Sequence, residues 1–547
     1  MFLAPRRCRS LAAFCLLACG ALHASGQAAD PPAALLALEP SQGRLVPEWR
    51  ADGSRFDLDL PLSAKTLELR FSIPPGARLR VNGRSVDAQV PWRSPELLHA
   101  ETELVLEVER GSAARKYELN VRRGRMPITL QARSSGMTDF GARVALSQNT
   151  LAVAGVASGG GRQIEIWKLS QGEWAHEHSL IVRECPTQST HVSLSIDGPV
   201  LVLGCSNDPA AGSERGGGAF VFTHVNGAWL GPTQLRAANG KEGEFFGESV
   251  AVSGETIVVG APLANPTNER GDTVPGAGAI YVFKRSAGSW QQQARLSAKD
   301  AAERDGLGAA VAVYGDTLAA SAPFEDSAKS GVNRNGRDAD APDSGAVYVF
   351  VRRGARWTQQ AYLKAKRPNP SITPQLGGDQ FGGGDSLAGP SLALWADTLA
   401  VGAPGEDWRV AASPKALQER YVVDAGAVYI FKRRDGFWSQ DGRVVPSGVD
   451  LGGNFGMSVA LQGGRLVVGA WQHPGAGVGL NSPAPPALTA PAGAAFSFKR
   501  TSNGFVEVAR MGAATPAPGA KFGWSVAVSD QATAVAAPTA AEVAVFP

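Results

Sequence analysis

The chain has 547 residues, of which 44% are hydrophobic and 19% are charged, with 65 glycines and 36 prolines. This composition excludes a largely disordered chain and is typical of many short strands joined by tight turns. Lysine and arginine total 53 against 50 acidic residues. The chain therefore lacks the basic field that nucleic-acid or anionic-membrane binding requires, and we expect neither partner.

The first 26 residues have the three-part pattern of a secretory signal peptide. Three arginines precede an apolar run from Leu11 to Leu22, and small residues follow up to Gly26. The run is shorter than the ~20 residues that a membrane-spanning helix needs, and no later segment is long and apolar enough to be one. Residues 1–26 are therefore predicted to be a leader. The mature chain is expected in the periplasm, on the cell surface or in the medium.

The leader also contains a candidate lipidation site. The four residues ending at Cys19, LLAC, resemble a bacterial lipoprotein box, although Leu17 stands where a small residue is more typical. An outer-membrane lipoprotein attached through Cys19 is therefore an alternative to free export.

Residues 33–124 alternate between apolar and polar types over short stretches such as FDLDLP, TLELRFS and ELVLEVE, separated by turn signals such as Asn82-Gly83. This pattern predicts a small immunoglobulin-like β-sandwich. The succession of LEPSQGRLVPEW, FDLDLP, RVNG and YELNVRR is similar to the cadherin-like β-sandwich family of bacterial surface proteins. That resemblance implies a non-catalytic module, and the calcium sites of the family are not evident in these residues.

A unit of four strand-like segments recurs through the rest of the chain. It is clearest from Phe246 to Ala298, where FGESVAVSGETIVVGAP leads to GAIYVFKRSAGSWQQQARLSA through glycine-containing turns. Further units begin at Asp139, Val192, Leu307, Phe381, Phe455 and Phe522. The repetition predicts a β-propeller over 126–547 with seven four-stranded blades, and six or eight blades are the alternatives.

The last unit is one strand short. A segment that starts at Pro127, PITLQARSS, copies the fourth-strand pattern just before the first complete unit. We therefore expect the strand at 127–133 to complete the last blade, which closes the ring and leaves no free sheet edge.

The recurrent Phe-Gly, Gly-Ala-Pro and Gly-Ala-x-Tyr-Val-Phe elements resemble the FG-GAP family, the repeats of the integrin α-subunit propeller and of many bacterial surface proteins. The resemblance covers about Met126 to Pro547 and implies a binding or adhesion role. Calcium-binding blades of that family carry an Asp-rich loop between their first two strands. Here that link is only SGE, YGD, WAD or QGG, which cannot supply the six or more oxygens of a calcium site, so no cofactor is expected.

One other segment, GVNRNGRDADAPDSG, has the residue types of a cation site, although it lies between a second and a third strand. Its candidate ligands are Asn333, Asn335, Asp338, Asp340 and Asp343. A solvated polar loop is the alternative interpretation.

Only two cysteines remain outside the leader. Cys185 precedes the first strand of the second unit and Cys205 ends its second strand, so antiparallel pairing brings them to the same end of the sheet. Since exported chains keep cysteines oxidised, the two are predicted to form a disulfide.

The connections between second and third strands vary most between units, and all of them emerge on one face. They span 263 to 277, 324 to 344, 405 to 425 and 471 to 492. Constant sheets with variable loops favour a monomeric binding or adhesion protein with a protein or glycan partner. One loop carries Arg270-Gly271-Asp272, a tripeptide that integrins recognise, and a chance match is the alternative.

Motifs of the common catalytic sites, such as HExxH, GxSxG and a P-loop, do not occur in the sequence. The loop acids Glu325-Asp326 and Glu406-Asp407 allow an alternative function. The chain could be a hydrolase or lyase of the cell envelope, or an accessory subunit of such an enzyme. A purely structural envelope protein without a ligand is the remaining alternative.

Overall fold

The computed structural model describes residues 33–46, 49–60, 64–97, 101–123, 126–185, 187, 192–206, 218–238, 243–268, 270–334, 338–365, 378–383, 391–410, 420–447, 453–476, 479–481 and 490–547. The predicted leader with Cys19, and Asn335, lie outside these ranges. Within them every regular element is a strand except a 3-10 helix at Pro538–Ala540. The all-β prediction is confirmed, and none of the helical structure in these ranges is long and apolar enough to cross a membrane.

The N-terminal module consists of two β-sheets around one hydrophobic core. The smaller sheet contains Ala37–Pro40, Glu68–Ser72 and Trp92–Arg93. The larger sheet contains, in spatial order, Arg44–Val46, Arg55–Leu60, Ala113–Arg123, Glu101–Arg110, Arg78–Val81 and Arg84–Val86. Alternate residues of these strands, such as Leu104, Leu106 and Val108, are buried between the sheets. The cadherin-like assignment stays a prediction, because many families share a two-sheet arrangement.

From residue 128 onward, the described strands form seven antiparallel sheets of four or five strands, numbered here as blades 1 to 7, and one two-stranded sheet in a loop of blade 5. In each blade, four strands lie in the spatial order first, second, third, fourth. Blade 1 contains Thr138–Ser147, Thr150–Val156, Arg162–Ser170 and Glu173–Val182. Blade 2 contains Val192–Asp197, Val200–Cys205, Gly218–Val225 and Ala228–Leu235. Blade 3 contains Val250–Ser253, Thr256–Ala261, Ala279–Ser286 and Ser289–Leu296.

The next blades follow the same plan. Blade 4 contains Val311–Tyr314, Thr317–Ala322, Ala346–Arg353 and Arg356–Lys364. Blade 5 contains Leu392–Trp395, Thr398–Ala403, Ala427–Arg434 and Phe437–Val444. Blade 6 contains Ser458–Gln462, Arg465–Ala470, Ala494–Thr501 and Gly504–Gly512. Blade 7 contains Ser525–Val528, Thr533–Ala537 and Glu542–Phe546, with Ile128–Gln131 as its fourth strand.

The blades form a closed ring. The first strand of each blade contacts the first strand of the next, and that of blade 7 contacts that of blade 1. In blade 7, Ile128–Gln131 pairs antiparallel with Glu542–Phe546, so that Ile128 lies opposite Val545. Both ends of the propeller segment therefore lie in one sheet.

The repeated glycines allow neighbouring blades to approach at backbone distance. Gly402 in the second strand of blade 5 lies against the carbonyl oxygen of Gly456, the glycine of the Phe-Gly element of blade 6. A Cβ atom at Gly402 would be 2.0 Å from that oxygen, so only glycine fits. The same contact occurs, with hypothetical Cβ distances of 2.3, 2.0 and 1.9 Å, for Gly204 with Gly247, Gly260 with Gly308 and Gly469 with Gly523.

A half-buried arginine near the turn between the third and fourth strands joins several neighbouring blades. Arg352 of blade 4 donates to Thr256 Oγ1 of blade 3 (3.2 Å), and its guanidinium lies over Trp357. The Trp357 Nε1 donates to Gln293 of blade 3 (2.9 Å). We call this arrangement the arginine plug. It recurs with the pairs Arg433 and Thr317 (2.9 Å), Trp438 and Gln360 (2.8 Å), and Arg500 and Thr398 (3.0 Å).

A disulfide joins Cys185 to Cys205. It links the segment before blade 2 to the end of the second strand of that blade. Both cysteines are buried in the core between blades 1 and 2.

We predict that Gly402→Ala destabilises the propeller by about 1–3 kcal/mol, because a methyl group would push blades 5 and 6 apart. Gly442→Ala in the same blade is the matched control, since no atom lies within 4 Å of the position of its Cβ. Urea denaturation of both variants measures the effect. Equal stability of the two variants would contradict the packing role of Gly402.

Candidate binding face

The long loops leave blades 3 to 6 on one side because each blade is an antiparallel meander. The last residue of the second strand pairs with the first residue of the third, as Ala322 does with Ala346 in blade 4 and Ala403 with Ala427 in blade 5. We call the side that carries these loops the loop face. The opposite side, with the short turns between first and second and between third and fourth strands, is the turn face.

Two of the four loops do not stay on the loop face. Residues Gly331–Val332 and Gly479–Leu480 pair with the fourth strands of blades 4 and 6 and add a fifth strand to each. These loops cover outer sheet edges that would otherwise expose unpaired backbone groups. The loop of blade 5 forms a hairpin of Trp408–Val410 and Arg420–Val422. The predicted surface is therefore built chiefly by blades 3 and 5.

The loop of blade 3 displays the tripeptide Arg270-Gly271-Asp272. The Asn268 Oδ1 accepts hydrogen bonds from the backbone N–H groups of Arg270 and Asp272, both at 2.9 Å, and Asn268 Nδ2 donates to the Asp272 carboxylate at 3.2 Å. All three residues of the tripeptide are exposed. The loop thus has an internally bonded tip whose guanidinium and carboxylate face solvent.

The candidate acids Asp326 and Asp407 hold the bases of their loops. Asp326 Oδ1 accepts from the backbone N–H of Asp343, and Asp407 Oδ1 accepts from that of Asp424, both at 2.9 Å. Asn265 accepts in the same way in blade 3, from the N–H of Gly276 at 2.8 Å. Since the same contact occurs in three blades, these side chains anchor the loops. The sequence alone does not distinguish such an anchoring side chain from one that binds a ligand.

The candidate acids Glu325 and Glu406 point into the blades. Glu325 is 3% exposed, forms an ion pair with the buried Lys364 and accepts from the Tyr362 hydroxyl at 3.0 Å. Burial raises the pKa of Glu325, and the ammonium of Lys364 opposes that shift. Glu406 accepts from Arg443 Nε at 2.9 Å. Both carboxylates are thus neutralised by bases of their own blades.

Two of the predicted cation ligands have hydrogen-bond partners within the protein, and Asn335 lies outside the described residues. The Asn333 Oδ1 accepts from the backbone N–H of Tyr362 (2.9 Å), and Asp338 accepts from Ser327 Oγ (2.9 Å). Asp343 is half-buried at the loop base and Asp340 is exposed. Across the described part of the chain, no group of three or more histidine, cysteine or acidic residues could hold a metal ion.

Sequence reasoning overlooked a buried acid, Asp305, in the link before blade 4. Its Oδ2 accepts from the backbone N–H of Ala302 at 2.7 Å. Burial raises its pKa to about 8, and the nearby carboxylates of Glu325, Asp300 and Asp326 act in the same direction. A recurrent acid two residues before the Phe-Gly or Leu-Gly element was the available signal; its members are Glu244, Asp305 and Asp379.

This carboxyl predicts a pH dependence of stability. Its pKa is near 3.8 when unfolded and about 8 when folded, so its contribution is fully present below pH 3.8 and is lost as pH rises through 8. The variant Asp305→Asn keeps an oxygen acceptor for Ala302 but cannot ionise. We therefore expect the stability of the variant relative to wild type to increase between pH 4 and pH 8.

Urea denaturation at successive pH values measures this difference. Asp435→Asn, at an exposed turn position, is the control and should show a much smaller change over the same range. A pH-independent difference between Asp305→Asn and wild type would refute the assignment.

Comparison with known proteins identifies the repeats. The FG-GAP repeat family model matches residues 229–283, 290–350 and 438–484. No curated protein matches the chain. Among solved structures, the crystal structure of Saccharomyces cerevisiae Sqt1 is similar over 77% of this chain and 98% of that one, at 10% identity and a TM-score of 0.37. The first two family matches each run from the fourth strand of one blade to the third strand of the next. Three segments of the β-propeller therefore match the FG-GAP repeat model.

Proposed function

We propose that this chain is an exported, non-catalytic binding protein that presents the loop face of its propeller to a protein or glycan partner. The observation that carries the proposal is the contrast between anchored loop bases and exposed loop tips. Asn265 and Asp407 hold the bases in blades 3 and 5, whereas Arg270 and Asp272 extend into solvent. A tip on a rigid base loses less conformational entropy on binding, which favours specific recognition.

An extracytoplasmic location is supported by three features. The first 26 residues have a secretory pattern, FG-GAP repeats resemble those of surface proteins, and Cys185 is joined to Cys205. Disulfides persist mainly in oxidising compartments. Lipid attachment at Cys19 would retain the same protein at a membrane surface with the propeller free to bind.

The loop acids that suggested a hydrolase or lyase as an alternative function are bonded to other residues of the protein. A hydrolytic pair needs carboxylates that face the substrate, one as acid and one as base or nucleophile. Glu325 instead faces Lys364, and Glu406 faces Arg443. These contacts support a binding role over a catalytic one at this face.

The test is a binding screen of the mature chain against arrays of cell-surface proteins and glycans, with and without a chelator. We expect saturable binding that persists in the chelator. Two variants examine the loop face: Arg270→Ala with Asp272→Ala, and a blade 5 loop whose residues 409–421 are replaced by a short turn. At least one of them should weaken binding about tenfold or more, because a few central residues carry most of the energy of an interface.

Glu255→Ala is the matched control, since Glu255 is exposed in the same blade on the turn face. Binding that survives both loop variants, or that is lost with Glu255→Ala, would place the partner elsewhere. Failure of every probe to bind would favour a structural envelope role.

A further inference from the structure

A cavity of about 620 Å³ lies between blades 7 and 1 on the turn face. Its rim includes Gln148 and Asn149 from the first turn of blade 1, Gln171 from the last turn of that blade, and Gln531 from blade 7. The volume falls within the ~300–1,000 Å³ typical of small-molecule sites. We call it the seam cavity.

The seam cavity is open because the arginine plug is missing there. Leu169 pairs with Trp174 in blade 1 in the register in which Arg352 pairs with Trp357 in blade 4. Leu169 thus occupies the plug position, and its short side chain leaves the space that a guanidinium fills between blades 3 and 4.

The way in which the ring closes enlarges the opening. The fourth strand of blade 7, Ile128–Gln131, comes from the other end of the propeller segment, so no direct turn joins it to the third strand. Met126 and Ile128 line the cavity on this side. Neither offers the amide acceptor that Gln293 presents to Trp357 between blades 3 and 4.

The lining combines the indole of Trp174, the ring of Phe546, four side-chain amides and aliphatic groups, without a charged side chain. Amides both donate and accept hydrogen bonds, as sugar hydroxyls require, and an aromatic ring packs on the apolar face of a pyranose. The Asn149 Nδ2 donates to the carbonyl of Leu169 at 3.3 Å, which orients that amide. None of the lining side chains could form an ion pair with a phosphate, carboxylate or ammonium ligand.

We propose that the seam cavity is a binding site for a neutral saccharide, with Trp174 as the stacking platform and the rim amides as hydrogen-bonding groups. Trp174 is half-buried, as are its counterparts Trp229 and Trp290. Trp357 and Trp438 are buried and donate to the preceding blade. The site lies on the turn face, so it is independent of the partner proposed for the loop face.

Titration calorimetry and saturation-transfer NMR of the mature chain with a panel of neutral hexoses and disaccharides test the proposal. Glucuronate and glucosamine serve as charged comparators. We expect saturable binding of at least one neutral sugar at roughly millimolar concentration or below, weakened about tenfold or more by Trp174→Ala. Trp290→Ala, at the equivalent position of blade 3, is the matched control and should bind normally.

A second variant keeps the test valid if Trp174→Ala fails to fold. Leu169→Arg introduces the residue that blades 4, 5 and 6 have at this register, and it should abolish saccharide binding while leaving the thermal stability intact. Gln171→Asn shortens one rim amide at an exposed turn and should weaken binding. No binding across the neutral panel, preferential binding of a charged comparator, or full binding by Leu169→Arg would overturn the proposal.

Discussion

Backbone contact between glycines of successive blades sets the spacing on which the rest of the ring depends. Each second-strand glycine of the Gly-Ala-Pro type faces the carbonyl of the Phe-Gly or Leu-Gly glycine in the next blade, as Gly260 faces Gly308. Here a methyl group has no room, so the inner strands pack more closely than side chains would allow. Blade 4 has Ser321 at this place, and the opposing residue, Gly382, supplies the missing space. The glycines of the repeated motif are therefore explained by the close packing of neighbouring blades.

The close spacing of the blades also allows polar side chains farther from the propeller axis to reach the neighbouring blade. Arg433, for example, donates a hydrogen bond to the hydroxyl of Thr317 in the preceding blade, and its guanidinium lies over the ring of Trp438. On the loop face, Glu325 and Lys364 are buried together. Buried pairs of this kind contribute little net stability, but removing one partner leaves a costly charge. They therefore specify which segments lie together and hold the loop bases in one position.

The sequence alone was sufficient for the repeat and its strands, because period-two patterns and glycine turns are local signals. It also placed Ile128–Gln131 correctly beside the last strand, since that segment copies a fourth strand. The roles of Asp326 and Asp407 were not predictable, because a loop acid that binds a ligand and one that binds a backbone N–H have the same local pattern. The seam cavity could not be predicted from the sequence either. It arises from the absence of an arginine at Leu169 and can be recognised only when the register of all blades is known.

The shared sheet of blade 7 has a consequence for the order in which the molecule assembles. Ile128 finds its partner only at Val545, so this pairing is among the most distant in sequence that the propeller makes. Loop-closure entropy grows slowly with length, so the pairing costs little more at equilibrium than a shorter one. The rate of folding is affected more strongly, because pairing between strands that are distant in sequence slows folding. Until it forms, the strand Glu542–Phe546 has an open edge, and this intermediate would be the species most prone to aggregate or to exchange strands with another copy.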